Sequence, residues 1–290
     1  MIYLILSILC SSAIFIIFKG FERFQVNTFT AIVINYLVAG FTGFLLVEDA
    51  VSVQRVVDSS WLYNALFLGV VFISLFNIMA ITAQKFGASV ASVANKMALI
   101  VPVVFAVVHY GDSLSWLKST GIVLALFGVY FSTLKSKTTK GKKIDWKLLL
   151  IPLLLFLGSG FIDTFLKYNQ EIHLLGKPIE AKLFASITFF TAGAIGVFVL
   201  LVDKSKRRFN TNTIFGGLLL GIINFGSIYF LIQTFDHSNL QSSVVFPINN
   251  MGVVILTAVT SLIVFREKFS ILNKVGVLIS LIAIALISFS

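Results

Sequence analysis

Apolar residues in this chain come in long, unalternating runs, at about 1–18, 29–47, 61–83, 87–109, 115–134, 147–166, 182–202, 213–234, 239–265 and 271–289. Most approach the roughly 20 residues that a helix rising 1.5 Å per residue needs to cross a hydrocarbon core about 30 Å thick. Barrel strands are shorter and alternate in polarity. The pattern therefore predicts an all-α integral membrane protein with ten transmembrane helices. Only Gln84, Lys85 and Phe86 separate the third run from the fourth, and Lys118 interrupts the fifth early. Residues 1–18 have no basic segment before them and no small-residue cleavage site, so they read as a retained span.

One run carries a polar stripe. Over Gly87 to Tyr110, Ser89, Ser92 and Lys96 fall at helical spacing, with Ala88 and Asn95 flanking that side. Val90, Met97, Ile100 and Val104 fall mostly opposite. Lys96 stands about 13 Å along such a helix, near mid-membrane. A cation there costs on the order of 3 kcal/mol by insertion scales. The stripe needs something other than lipid to face, and a water-filled cavity that binds solute would supply it.

The composition agrees: 58% of the 290 residues are hydrophobic and 12% charged. Soluble domains sit nearer 45–50% apolar and about 25% charged. The formal net charge of +10 is topological, not a sign of nucleic-acid binding. With residues near the ends of a span counted in the adjoining loop, sixteen of the 22 lysines and arginines fall in loops 1–2, 3–4, 5–6, 7–8 and 9–10, five in the other loops, and Lys96 alone deep inside a span. The bias predicts a plasma (inner) membrane protein with the lysine-rich loop 135–146 in the cytoplasm and both termini outside. Trp61, Trp116 and Trp146 each open a span, as an aromatic belt would have them. Cys10 is the one cysteine, and His109, His173 and His237 are scattered. No disulfide framework, metal motif, phosphate loop or cofactor is implied.

The basic loop divides the chain into similar halves. Ser11, Ile14 and Lys19 match Ser159, Ile162 and Lys167 at one offset. AGFTG at 39–43 matches AGAIG at 192–196, and LFLG at 66–69 matches LLLG at 218–221. Asn95, Asp112, Ser115, Leu117 and Gly121 match Asn250, Glu267, Ser270, Leu272 and Gly276. Five helices per half insert the second half upside down. The expected organisation is a five-helix repeat over 1–134, a cytoplasmic linker over 135–146, and an inverted five-helix repeat over 147–290.

AITAQKFGASVASVANKMALIVPVVFAVVHYGDSLSWLKSTGIVLALFGVYF (80–131) and FDHSNLQSSVVFPINNMGVVILTAVTSLIVFREKFSILNKVGVLISLIAIAL (235–286) resemble the EamA-type, ten-helix branch of the drug/metabolite transporter superfamily. The shared pattern is a small-residue helix start, a proline in the fourth helix, an acidic turn and a glycine-rich fifth helix. The resemblance spans essentially the whole chain. It implies export or exchange of small metabolites through a central cavity lined by both halves. The chain departs from the small multidrug-resistance relatives, which use a glutamate in their first helix; residues 1–18 hold no acid. Pro102 and Pro247 do not align, so the two copies are expected to break at different depths.

The candidate substrate-binding residues are Lys96, Asn95, Ser92, Asn249, Asn250, Asn224, Tyr229, Asn77 and Asp163. Lys96 either attracts an anionic group of a solute or makes a structural ion pair or a helix-end contact. Asn95 and Asn250 hold matching places, where amides either hold solute or bond helices together. Asn249 and Asn250 follow Pro247, which removes a backbone donor. Asp163 pairs with Lys167 one turn on, or with Lys96. Asn35 and Tyr36, mid-second helix, carry less weight, and the glycines of AGFTG and AGAIG suit close helix packing.

These features predict a secondary transporter of small metabolites, anionic or zwitterionic, working by alternating access. A receptor or scaffold without transport is the alternative. An enzyme is not expected, because no nucleophile–base pair, carboxylate pair or metal cluster is evident at membrane depth. The expected partners are a small-molecule substrate and the lipid bilayer, without nucleic acid. The chain itself would be a monomer or a homodimer.

Overall fold

Helices form wherever the apolar runs lie, because a chain in hydrocarbon must satisfy its backbone groups within itself. The computed structural model describes residues 1–47, 52–110, 115–133, 146–237, 242–267 and 269–288. Asp112 and linker residues 135–145 lie outside these, as do the side chains of His109, Lys118, Trp146 and Pro247. The helices are α1 (Ile2–Arg23), α2 (Thr28–Leu45), α3 (Val53–Val57), α4 (Leu62–Phe86), α5 (Ala88–Met97) and α6 (Ile100–Tyr110). They continue with α7 (Trp116–Thr133), α8 (Trp146–Asn169), α9 (Pro178–Val202), α10 (Thr211–His237), α11 (Ser242–Val264) and α12 (Ile271–Ser288). Among the described residues, seven helical stretches are long and apolar enough to cross a membrane. Shorter apolar helices cover 119–132, 248–264 and 271–287. Their outward faces carry large apolar residues such as Phe198, Leu201, Phe215, Ile222 and Leu278, as lipid contact requires.

Three features depart from the sequence reading. The fourth run is two helices, not one, broken at Ala98–Leu99. Pro102 is the cause: it has no N–H to give Ala98, and its ring crowds that carbonyl. The Val101 amide donates to the Ala98 carbonyl instead, at 2.9 Å, in a tighter turn. The second copy has no such break, since α11 runs unbroken past position 247. Trp61 is not a lipid-facing belt residue. It is buried, and its Nε1 donates to Glu180 Oε2 at 2.9 Å, while Arg55 of α3 donates to Oε1 of the same carboxylate at 2.9 Å. Trp116, by contrast, is exposed at the start of α7.

The contacts sort the chain into two units. The first holds Met1–Gly20, Ile78–Phe161 and Gly226–Ser290, and the second holds Phe21–Asn77 and Ile162–Phe225. In the second unit the small-residue motifs pack α2 antiparallel against α9. A Cβ added at Gly40 would lie 3.0 Å from the Phe190 ring, and one at Gly193 would lie 2.7 Å from Leu37. Gly43 meets Ser186, and Gly196 meets Val33. Moving each contact by the spacing of the two motifs converts it into its partner. The relation recurs with Gly69 of α4 against Thr191 and the Thr188 carbonyl, and Gly221 of α10 against Val38 and the Asn35 carbonyl. In the first unit it recurs between α7 and α12, where Gly121 meets Ile287 and Gly276 meets Ser132. Such exchange of partners is what a two-fold relation between like segments produces.

Candidate functional site

The polar stripe lies on α5, in the first unit. Ser92 is buried and turned to its own helix, its hydroxyl donating to the Ser89 carbonyl at 2.9 Å. Asn95 is half-buried, and its Nδ2 donates to Ser159 Oγ of α8 at 2.8 Å. Lys96 is half-buried in the last turn of α5.

The break explains how a lysine is held there. The last four carbonyls of a helix lack internal partners, and that end carries a partial negative charge. Pro102 creates this end inside what would otherwise be one span, so Lys96 sits at a position that favours a cation. α6 begins four residues later, at Ile100, with its positive end. A lysine, an amide and two helix ends are thus gathered within six residues. Gly160 of α8 lets the break be covered closely: a Cβ there would lie 2.3 Å from Val101 and 2.8 Å from the Ala98 carbonyl. Neighbouring Ser159 is the residue that receives Asn95.

Asn249, Asn250 and Tyr229 also belong to the first unit. Asn249 is buried, and among the described residues its Oδ1 has no hydrogen-bond donor. Native proteins leave few such buried atoms unmatched. Asn250 is half-buried, and the Tyr229 ring stands edge-on to Phe230.

The other three candidates belong to the second unit. Asn77 donates to the Ile73 carbonyl of its own helix at 2.8 Å. Asn224 is buried and forms an amide–amide hydrogen bond with buried Asn35, 3.1 Å between side chains. That bond ties α10 to α2, so Asn35 has more structural weight than its sequence position suggested. Asp163 is exposed on α8, and Lys167 reaches forward to Glu171 at 3.8 Å. Among the described residues no group of three or more His, Cys, Asp and Glu is placed to hold a metal.

The Asn95–Ser159 bond escaped the sequence reading. Ser159 was visible there only as a repeat match to Ser11, and nothing in the linear order brings residues 64 positions apart together. The pair of Lys19 with Glu267, described below, had one signal: Glu267 keeps step with Asp112 in the repeat.

Seven apolar helical stretches of crossing length among the described residues define a multi-pass membrane protein. The first 134 residues match the model of the EamA-like transporter family. Along nearly its whole length the chain is 30% identical, over 286 residues, to an uncharacterised protein of Haemophilus influenzae strain Rd, with 97% of this chain and 95% of that protein covered. The likeness to the EamA-like transporter family thus covers the first 134 residues. A solved crystal structure at 12% identity superposes with a TM-score of 0.59, covering 97% of this chain and 95% of its own, which bears on the fold alone.

Proposed function

We propose that the protein is a secondary transporter of small anionic or zwitterionic metabolites, working by alternating access. The family match over residues 1–134 supports small-molecule transport in general. The observation that carries the finer reading is Lys96 at the mid-span break of α5, beside the Asn95–Ser159 bond. Broken helices in membrane proteins characteristically mark solute sites, where helix ends meet charge. Lys96 and the start of α6 both favour a carboxylate or phosphate, and the unmatched Asn249 oxygen favours an N–H or O–H donor on the same solute.

The reading takes the chain to cross the membrane ten times as two inverted repeats, 1–134 and 147–290. Reciprocal glycine contacts between α2 and α9, and between α7 and α12, support that symmetry. Transport is then driven by a gradient or by exchange, and the residues have no enzymatic task.

The test is counterflow in proteoliposomes over a panel of organic acids, sugar phosphates, amino acids and lipophilic cations. Lys96→Ala is expected to lose at least about tenfold in rate, the scale of one lost charge-assisted contact. Lys96→Arg should keep part of it. Wild-type rates for Lys96→Ala on every anionic and zwitterionic solute would remove Lys96 from the mechanism.

A further inference from the structure

A second charged cluster lies at another junction of the first unit, where α4 gives way to α5. The junction is one residue long. Gly87 takes φ = +108°, a conformation that disfavours side chains, and a Cβ there would lie 2.6 Å from Glu267 Oε2. Glu267 reaches this place because α11 ends in a left-handed turn. Arg266 has φ = +50°, and the Glu267 amide donates back to the Ser261 carbonyl at 3.2 Å. The carboxylate accepts from the Ala88 amide, the first of α5, where an anion offsets the helix dipole. Lys19 comes from α1. Its Nζ donates to the Gln84 carbonyl in the last turn of α4 at 2.8 Å and lies 3.9 Å from Glu267 Oε1. Gln84 Nε2 returns a hydrogen bond to the Phe18 carbonyl at 3.3 Å. One ion pair therefore joins the end of α1, the α4–α5 junction and the α11–α12 turn.

We infer that the Lys19–Glu267 pair is a latch on this end of the first unit, and that solute passes that end only after the two side chains separate. The inference rests on the carrier reading above.

Three observations favour a contact made to open over a fixed brace. First, Glu267 Oε1 is buried and receives no hydrogen bond among the described residues. A buried carboxylate oxygen without a donor recovers its lost hydration poorly, whatever its twin oxygen accepts. Second, Gln84 lies in the last turn of α4 and Glu267 just past the end of α11, while Lys19 reaches them from α1 by its side chain alone. Gly87 and Arg266 are backbone pivots, so separation turns two hinges and unwinds no helix. Third, the repeat equivalent of Lys19, Lys167, makes a different contact: it is over half exposed and held by Glu171 of its own chain segment. Among the described residues, such a pair is seen at this end. The Lys/Arg bias assigns that end to the cytoplasm.

Hydrogen exchange on the full-length protein in nanodiscs tests the latch, read on the peptide covering 84–93. Lys19→Met and Glu267→Lys should each speed exchange there by about tenfold, as the junction opens locally more often. The double variant Lys19→Glu/Glu267→Lys should exchange more slowly than either single variant but short of wild type, because reversed charges re-form the ion pair and not the bonds to the Gln84 carbonyl and the Ala88 amide. Wild-type exchange in both single variants, or no recovery in the reversed pair, overturns the latch. If a single variant fails to fold, the reversed pair decides: protected and folded it supports the latch, and otherwise it overturns it. Exchange reads the latch whether or not solute moves. Wild-type protein without counterflow for any solute would therefore sink the carrier reading separately.

Discussion

At the scale of the residue, charge in this protein is placed by helix ends. Lys96 closes α5, and Glu267 opens it. Both sit where the backbone dipole favours them, which lowers the cost of holding charge within an apolar chain. Glu267 still departs from ordinary behaviour. Burial pushes its carboxyl above the usual glutamate value, and the charge of Lys19 and the Ala88 amide pull it back only in part. The groups facing it are Lys19 from α1, the Ala88 amide from α5 and the Ser261 hydroxyl from α11. A carboxyl raised in the folded state contributes stability below its unfolded value, and that stability is lost as pH rises through the folded value. At neutral pH the ionised form therefore costs stability. Glu267→Gln should melt no lower than wild type at pH 7 to 8, and the two curves should converge below about pH 4, where carboxyls are protonated. A clear loss of melting temperature in Glu267→Gln at neutral pH would show the pair to be a net brace.

At the scale of the element, one break and a set of glycines shape the helices. Pro102 interrupts the fourth run at the cost of about 3 kcal/mol in intrinsic helix preference. Pro102→Ala restores the missing amide. The expected result is a protein at least as stable as wild type with counterflow reduced, because α5 would no longer end at Lys96. Full transport by a stable Pro102→Ala variant would count against the break as part of the site. The glycines test the repeat. Gly69 and Gly221 each approach a backbone carbonyl of a second-position helix, so Gly69→Ala and Gly221→Ala both force a shift. Overpacking of this kind costs about 1–3 kcal/mol. Thermal melts should show similar losses for the two variants; a loss in one and none in the other would contradict equivalent packing.

At the scale of the whole molecule, the prediction concerns orientation. Ten crossings with the 135–146 loop inside require an impermeant thiol reagent to miss a cysteine at Thr138 in intact cells and label it in inverted vesicles, in a Cys10→Ser background. The reverse pattern would invert the proposed topology and move the latch to the outer face.

The linear pattern alone was enough to establish an all-α membrane chain, because bilayer thickness sets the length of an apolar run and lipid forbids unpaired backbone. It also marked Lys96 as anomalous, since no cation is cheap at that depth, and it aligned the glycine motifs whose partners proved reciprocal. Pairing across distance was left to the tertiary structure. A serine, an asparagine or a glutamate has the same local preferences whether its partner is present or absent. Only packing could match Asn95 to Ser159, Asn224 to Asn35 and Lys19 to Glu267, because each of those bonds depends on which helix faces which.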